Sequence, residues 1–180
     1  KISDFDILNA DGESYTENLL NDTGFTFIIL SPKVKSKVHS IEEERIDTIY
    51  KLDTTVIKLK NRDSVSVKLV NAGTEKKMIK RNQYEWDADF VNIIKDKMLP
   101  LIDSVKGNTI KAAIILGGLT EEGIRNLKFE CKIDFPSYEA DDLLIKTIMR
   151  SNPGLLLLKD GRIIHKWHYK QLPKVDELRM

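Results

Sequence analysis

Two apolar-rich runs near the carboxyl end of the chain are joined by the dipeptide Asp160-Gly161. This dipeptide predicts a tight hairpin turn, because such turns need positive φ angles that glycine adopts without strain. The first run contains four consecutive leucines at residues 155–158, so both faces of that strand are predicted to be buried, as in a sheet covered by helices. Strands joined by so short a turn must run antiparallel.

Further runs upstream predict additional strands. Residues 25–30 are rich in aromatic and β-branched side chains, and residues 109–116 form a second continuous apolar run. Both are predicted to be strands buried in the core. Residues 54–70 are predicted to form a second hairpin that turns at residues 61–63, because apolar and polar side chains alternate along its second half. The tripeptide Asn71-Ala72-Gly73 predicts a turn after this hairpin.

Between these strands, apolar side chains recur at the three- and four-residue steps that predict helices. Ser40, Asp87 and Thr120 each precede such a pattern and are predicted to cap a helix. Pro100 falls within the longest pattern and is expected to kink or break that helix, because proline lacks a backbone N–H. The predicted helices cover residues 15–20, 40–51, 87–105, 120–129, 141–150 and 173–178.

Buried strands that alternate with helices and end in an antiparallel hairpin indicate an α/β fold, with a mixed sheet between layers of helices. The whole chain, residues 1–180, is predicted to form a single domain, because this length suits one hydrophobic core. A net charge of +1 gives no general case for binding nucleic acid or a membrane surface. No apolar run approaches the roughly 20 residues that cross a bilayer.

Several charge runs are interpreted as capping or solvent-facing groups. The acidic residues 42–44 and the pair Asp141-Asp142 stand at predicted helix starts, where the helix dipole favours anions. The basic patch within residues 76–81 is predicted to face solvent, as short charge runs usually do. None of these runs requires a catalytic role.

The chain offers few side chains for catalysis or metal binding. Cys131 is the only cysteine, which excludes an internal disulfide and an internal dithiol cycle. Its preferred interpretation is a small, half-buried hydrophobic residue, because free cysteine is commonly buried and inert. His165 and His168 lie three residues apart on a predicted strand and therefore on opposite faces, so no metal site is expected.

Four segments carry a family resemblance. Residues 3–15 are similar to a P-D-F-x-L-x-x-x-D-G motif, with Ser3 in place of the proline, and residues 134–141 are similar to a Y-P-V-x-x-D element. Residues 144–155 and 166–168 are similar to an R-S-N-P-G-L-x-L-L-x-D-G run and a K-W-H strand. The first pair resembles the thioredoxin-like branch that includes periplasmic thiol reductases. The second pair resembles the carboxyl-terminal thioredoxin-like domain of DoxX-type membrane proteins.

This resemblance implies a thioredoxin-like mixed sheet flanked by helices, with an inserted β-hairpin plus helix. The insertion, with its hairpin and basic segment, is assigned to residues 52–86, which the resemblance leaves unmatched. The family's Cys-x-x-Cys pair would start the helix after the first strong strand, near Val34 and Lys37. Neither residue is cysteine, selenocysteine or serine, so thiol–disulfide exchange has no nucleophile there.

The resemblance also implies a peptide-docking groove. Pro153 corresponds to a family proline whose preceding peptide bond is cis, an isomer that X–Pro bonds tolerate. The groove residues implied in this way are Pro153, Asn152, Val34 and Lys37. Three lysines alternate with other residues through positions 33–37 beside this groove. They are either a solvated loop or a basic lip that favours acidic or polar peptides.

Three functions stay open. The favoured one is a redox-inactive thioredoxin-like domain on the extracytoplasmic, periplasmic side, which binds an unidentified protein or peptide and uses no cofactor and no nucleic acid. By the resemblance alone, it is tethered to a membrane domain through a segment before Lys1, outside this chain. The second is a single-cysteine thiol enzyme in which Cys131 performs peroxide reduction or mixed-disulfide formation. The third is a structural domain whose 52–86 hairpin contacts another copy or a partner.

Overall fold

The computed structural model describes residues 6–59, 62–105 and 110–178. It divides the chain into two compact units. The sheet unit comprises the residues up to 37 and from 84 onward, and the ribbon unit comprises residues 38–83. The ribbon unit includes most of the segment predicted as an insertion, residues 52–86, and begins earlier in the chain.

The strands of the sheet unit form one mixed sheet. In its described part the chain contains eight strands: β1 (Ile7–Leu8), β2 (Phe25–Ser31), β3 (Ser36–Leu59), β4 (Arg62–Trp86), β5 (Ile110–Leu116), β6 (Ser137–Ala140), β7 (Gly154–Lys159) and β8 (Arg162–His168). Six of them pair in the order β1-β6-β5-β2-β7-β8. Because β2 runs parallel to β5 and antiparallel to β7, the predicted mixed α/β fold is confirmed. Thr109, at the predicted start of β5, lies outside the described residues.

The central strand β2 is buried on both faces. Phe27 and Ile29 belong to one hydrophobic core, and Ile28 and Leu30 belong to the other. The four leucines at residues 155–158 divide between the same two cores in the same alternating way. This confirms the burial predicted from their uninterrupted apolar run, since a strand with an apolar face on each side needs cover on each side.

The turn between β7 and β8 has the geometry predicted from its two residues. Asp160 has a φ of 49° and Gly161 a φ of 65°, and both values fit the two-residue turns that match the twist of a hairpin. The strands on either side pair antiparallel, with Lys159 opposite Arg162. A Cβ atom on Gly161 would overlap the backbone carbonyl of Leu20, so glycine is required here for space as well as for conformation.

Helices connect the strands, and the predicted caps Asp87 and Thr120 are confirmed. Asp87 accepts a hydrogen bond from the N–H of Phe90 at 2.9 Å, and Thr120 accepts one from the N–H three residues on at 3.2 Å. Before Pro100 the helix widens into a π-helical stretch instead of breaking, because a wider turn accommodates the proline ring and its missing N–H. The helical segments are α1 (Thr16–Leu20), α2 (Ala88–Ile93), the π-helical Ile94–Met98, α3 (Leu99–Val105), α4 (Glu121–Cys131), α5 (Asp142–Ile148) and a 3-10 turn at Val175–Leu178.

Two leucines that the helical patterns predict to face inward are exposed. Leu20 is 47% exposed and Leu143 is 70% exposed. In α1 the buried leucine is Leu19. In α5 Ile145 is buried, Leu144 and Ile148 pack partly buried against the same core, and Met149 is buried just past the end of the helix. A short helix buries only a narrow stripe, so residues beside that stripe turn to solvent.

The helix predicted over residues 40–51, with Ser40 as its cap, is wrong because this segment belongs to β3. Strands β3 and β4 form a two-stranded sheet. Ion pairs link the two strands, from Glu42 to Lys80 at 3.7 Å and from Glu44 to Lys76 at 2.5 Å. The acidic residue that lies later in β3 pairs with the basic residue that lies earlier in β4, so the two strands run antiparallel.

The acidic and basic runs of the ribbon pair with each other. Glu43 pairs with Arg81 at 3.7 Å, and Asp47 lies 4.0 Å from Lys77. The prediction that residues 42–44 neutralise a helix start is therefore wrong, and the exposed basic patch has partners within the ribbon. Exposed ion pairs contribute little to stability, so their main effect is to favour this pairing of the two strands.

The turn predicted at residues 71–73 is also wrong, since these residues lie inside β4. Gly73 has a φ of 130°, and its N–H donates a hydrogen bond to the side-chain oxygen of Asn71 at 2.8 Å. The turn-forming residues thus make a local irregularity in a strand that continues to Trp86. The hairpin predicted over residues 54–70 is the turn end of this ribbon, and residue 61 of its predicted turn lies outside the described residues.

We expect Gly161→Ala to destabilise the protein more than Gly12→Ala. Both glycines have positive φ, 65° and 77°, a conformation that costs alanine about 1–2 kcal/mol. Only Gly161 adds an overlap with Leu20, because the space around Gly12 is open. Urea unfolding should show a loss of about 1–2 kcal/mol for Gly12→Ala and of more than about 3 kcal/mol for Gly161→Ala. Equal losses would contradict the close approach of this turn to α1.

Candidate functional site

The carboxyl ends of the parallel strands β2 and β5 meet at one edge of the sheet. Ser31 pairs with Leu116, and the N–H of Gly117 donates to the Ser31 carbonyl at 2.9 Å. A Cβ atom on Gly117 would lie 2.6 Å from the carbonyl oxygen of Pro32, so only glycine permits this approach of the two segments. Ligand sites of α/β sheets commonly lie at the carboxyl ends of parallel strands, which makes this edge the candidate site.

Asn152 links the segment before β7 to the loop that follows β2. Its side-chain oxygen accepts a hydrogen bond from the Ser31 hydroxyl at 2.6 Å, and its Nδ2 donates to the Lys33 carbonyl oxygen at 2.6 Å. The Asn152–Pro153 peptide bond is cis, as the resemblance implies. The structure therefore brings Asn152 and Pro153, two of the four predicted groove residues, against residues 31–35, which we call the anchored loop.

Ser151 holds the same segment from the inside of the protein. Its side chain is buried, its hydroxyl donates to the Pro153 carbonyl at 2.5 Å, and its oxygen accepts from the N–H of Tyr169 at 3.3 Å. The segment is thus fixed on one side by Ser151 and on the other by Asn152. Its backbone has little freedom to move relative to the end of β2.

Of the other two predicted groove residues, Val34 lies in the anchored loop with its side chain in the core, and Lys37 lies beyond that loop. Val34 is 6% exposed and belongs to the hydrophobic core that contains Phe27. Lys37 is exposed and forms an ion pair with Glu85 at 3.7 Å. The chain enters β3 at Ser36, so Val34 and Lys37 do not share the turn of a helix.

The first helix after β2 begins only at Ala88, beyond the ribbon. Its cap, Asp87, donates its backbone N–H to the Lys35 carbonyl at 3.1 Å, so the chain leaves and rejoins the sheet unit at neighbouring points. At the return, the Trp86 indole Nε1 donates to the Asn126 side chain on α4 at 2.8 Å. The ribbon therefore follows directly after Val34 and Lys37, where the resemblance would place a Cys-x-x-Cys pair at the start of a helix. The helix predicted over residues 40–51 did not show this arrangement.

Two of the three lysines of the predicted basic lip interact with carboxylates. Lys37 pairs with Glu85. A hydrogen bond from Lys146 lowers the pKa of Asp142, and the positive charge of Lys33 adds a weaker lowering effect. The lip is therefore less positive than its three lysines indicate.

Cys131 is the last residue of α4 and is fully buried. The pKa of its thiol is raised to about 11, mainly by burial and to a smaller extent by the Glu130 carboxylate. Reactive cysteines have lowered pKa values and accessible sulfur atoms. The environment of Cys131 therefore supports a packing role and gives no support to a nucleophilic one.

His165 and His168 do not combine into a metal site. His165 stacks on Trp167 with ring centroids 5.2 Å apart, and the His168 ring lies 4.5 Å from that of Tyr169. Within the described residues, no group of three or more metal-binding side chains comes together. None of the helices in that part of the chain combines the length and the apolar character needed to cross a bilayer.

Comparison of the chain with protein-family models, with curated proteins and with solved structures found no match. The candidate site is therefore defined by its own contacts. These are the bridge made by Asn152, the close approach at Gly117 and the anchored loop between them.

We expect Cys131 to react slowly with iodoacetamide in the folded protein. At pH 8, a thiol with a pKa of about 11 is roughly 0.1% thiolate, whereas an exposed thiol with a pKa of about 8.5 is roughly 25% thiolate. Ionisation alone should make alkylation more than ~100-fold slower than in the urea-unfolded chain. Mass spectrometry of quenched samples measures both rates.

The pH dependence of the same reaction provides a second check. Because the pKa of the folded thiol is raised, its alkylation rate should still climb about tenfold per pH unit near pH 9, where the rate of the unfolded chain levels off. Similar rates and similar profiles in the two states would contradict the burial of Cys131 and favour the single-cysteine enzyme.

Proposed function

We propose that this chain is a redox-inactive thioredoxin-like domain that binds an extended protein segment as an interaction or regulatory module. The strand order supports the thioredoxin-like assignment, because the central β2 has the parallel β5 on one side and the antiparallel hairpin β7–β8 on the other. The position of Pro153 beside the loop after β2 supports it as well. Both features agree with what the sequence resemblance implies.

The observation that carries the binding role is the bridge from Asn152 to Ser31 and Lys33. The Asn152 side chain accepts a hydrogen bond from the Ser31 hydroxyl at the end of β2 and donates one to the Lys33 carbonyl oxygen. These two bonds fix the distance between the segment before β7 and the anchored loop. A surface held in this way is preorganised, and preorganisation lowers the entropic cost of binding a partner. The side chains of Lys33 and Lys35 are exposed on the same loop.

The proposal excludes dithiol chemistry because the anchored loop, Ser31-Pro32-Lys33-Val34-Lys35, contains no cysteine. Thiol–disulfide exchange begins with the attack of a thiolate on a sulfur atom. The single thiol of the chain, Cys131, is buried and has a raised pKa. The output of this domain is therefore affinity for a partner and not turnover of a substrate.

The anchored loop suits a polar or acidic peptide segment. Its exposed ammonium groups can pair with carboxylates, while the charge of Lys33 is partly offset by Asp142. Hydrogen bonding to the preorganised backbone should therefore contribute more than net charge. Attachment to a membrane domain and an extracytoplasmic location belong to the same proposal, and they rest on the sequence resemblance.

Random peptides displayed on phage and selected on the immobilised full chain supply the probe for this proposal. We expect Asn152→Ala to weaken the binding of the selected peptides at least tenfold. The two lost hydrogen bonds are each worth about 1 kcal/mol, and without them the loop is no longer held for binding. Isothermal titration calorimetry with synthetic peptides measures the change.

Asn92→Ala is the matched control, because Asn92 is an exposed asparagine on α2. We expect it to bind the selected peptides within about twofold of the wild type, a change below 0.5 kcal/mol. Failure to select any peptide would contradict the proposal, and so would selected peptides that bind Asn152→Ala as tightly as the wild type.

A triple variant with alanine at Lys33, Lys35 and Lys37 tests the basic lip. If it binds the selected peptides as tightly as the wild type, the role of the lip in binding is rejected.

A further inference from the structure

The half of the ribbon unit nearest its turn carries large apolar side chains in solvent. Isolated exposed apolar residues are normal on protein surfaces, whereas a contiguous group indicates an interaction surface. Here seven such side chains lie within two short stretches of β3 and β4, and each is more than half exposed. They are Ile46, Tyr50, Leu52, Val56, Val65, Val67 and Leu69.

These seven side chains share one face of the ribbon. Along a strand, residues two positions apart point to the same side, which groups the four on β3 together and the three on β4 together. Strand β3 ends at Leu59 and β4 begins at Arg62. Val56 and Val65 each lie three residues from these ends, a spacing that in a regular hairpin puts them side by side on one face. The irregularity at Gly73 separates this part of the ribbon from the ion-paired open end. We call this surface the apolar face.

The two faces differ in charge as well as in polarity. Between Ile46 and Val56 the other members of the apolar face on β3 are Thr48 and Thr54, and the charged residues on the same side, Glu44 and Lys58, lie at the two ends of this stretch. The alternate positions point to the opposite face and are mostly polar or charged. The polar and charged ones include Asp47, Lys51, Asp53, Thr55, Ser66 and Lys68, and the apolar exceptions include Ile49 and Val70.

A two-stranded ribbon is at best marginally stable in water unless another layer covers its apolar side. At the open end of this ribbon the strands are joined by exposed ion pairs such as Glu42–Lys80, which add little stability. The apolar face is therefore the part of the ribbon unit that gains most from being covered.

We propose that the apolar face is the interface of a homodimer, in which two ribbon units pack face to face across a two-fold axis. A two-fold axis brings each surface against its own copy, and the stretch of this face from Ile46 to Val56 carries no charge that would repel its copy. Two stacked ribbons would form a small sandwich of four strands, with apolar side chains interdigitated between the layers.

The exposed area favours a second copy as the occupant. From their exposed fractions, the seven side chains present on the order of 700 Å², close to the roughly 800 Å² per partner that standard stable interfaces bury. A different partner would need an uncharged face of similar size and shape, whereas a second copy supplies one by symmetry. This inference depends only on the ribbon unit and is independent of the site at Asn152.

Sedimentation of the full chain tests the homodimer. We expect a concentration-dependent equilibrium between monomer and dimer for the wild type. The double variant Leu52→Lys/Leu69→Lys introduces two charges into the apolar face and should raise the dissociation constant of the dimer at least tenfold. Both residues are mostly exposed in the single chain, 68% and 69%, so the variant should fold, which circular dichroism checks.

The matched control is Thr55→Lys/Ser66→Lys, which adds the same charge to the opposite face. It should change the dissociation constant less than twofold. Site-specific oxidation provides a second measurement, since Cys131 is buried and an added cysteine would be the accessible thiol. Leu52→Cys should form a disulfide-linked dimer much faster than Thr55→Cys.

Three results would overturn the proposal. One is a wild-type chain that stays monomeric up to its solubility limit. Another is a dimer that the control weakens as much as Leu52→Lys/Leu69→Lys does. The third is flotation of a monomeric wild type with neutral phosphatidylcholine vesicles, lost in Leu52→Lys/Leu69→Lys, because it would assign the apolar face to a lipid surface.

Discussion

The pairing of β2 on both edges and its burial on both faces is the constraint on which the sheet unit depends. Its hydrogen bonds are used by β5 and β7, and its side chains from Phe27 to Leu30 enter two hydrophobic cores in turn. Helices must therefore lie on both sides of the sheet, and no edge of β2 remains for a ligand. Only the chain beyond Ser31 reaches the surface, which is why the contacts of the candidate site begin there.

Elements decided by a few neighbouring residues could be predicted from the sequence. The turn at Asp160-Gly161 and the caps Asp87 and Thr120 are of this kind, because local backbone chemistry settles them. The open half of the ribbon could not be predicted, since the isoleucines within residues 40–51 suit a helical stripe and a β-strand equally well. The strand is formed with a partner strand distant in the chain, whose basic residues 76–81 lie across from the acidic residues 42–44, and no local pattern shows that partner.

The candidate site also contains some residues that the sequence identifies correctly and others that it does not. Asn152 and Pro153 belong to one continuous motif, so a sequence resemblance can point to them directly. The resemblance places Val34 and Lys37 by their distance from β2 along the chain, which assumes that a helix follows at once. The ribbon intervenes, so Val34 packs into the core and Lys37 pairs with Glu85. The bond from Asn152 to Lys33 joins residues 119 positions apart, and no local pattern in the sequence indicates it.

The claim on which the functional account rests is that Asn152 ties the anchored loop to the segment before β7. Nuclear magnetic resonance of the labelled full chain measures how fast side-chain amide protons exchange with water, and Asn152→Ala identifies the resonances. We predict that one Asn152 Nδ2 proton exchanges at least tenfold more slowly than those of the exposed Asn92, because the Lys33 carbonyl accepts it at 2.6 Å. Equal exchange at the two asparagines would contradict the bridge and the preorganised surface that depends on it.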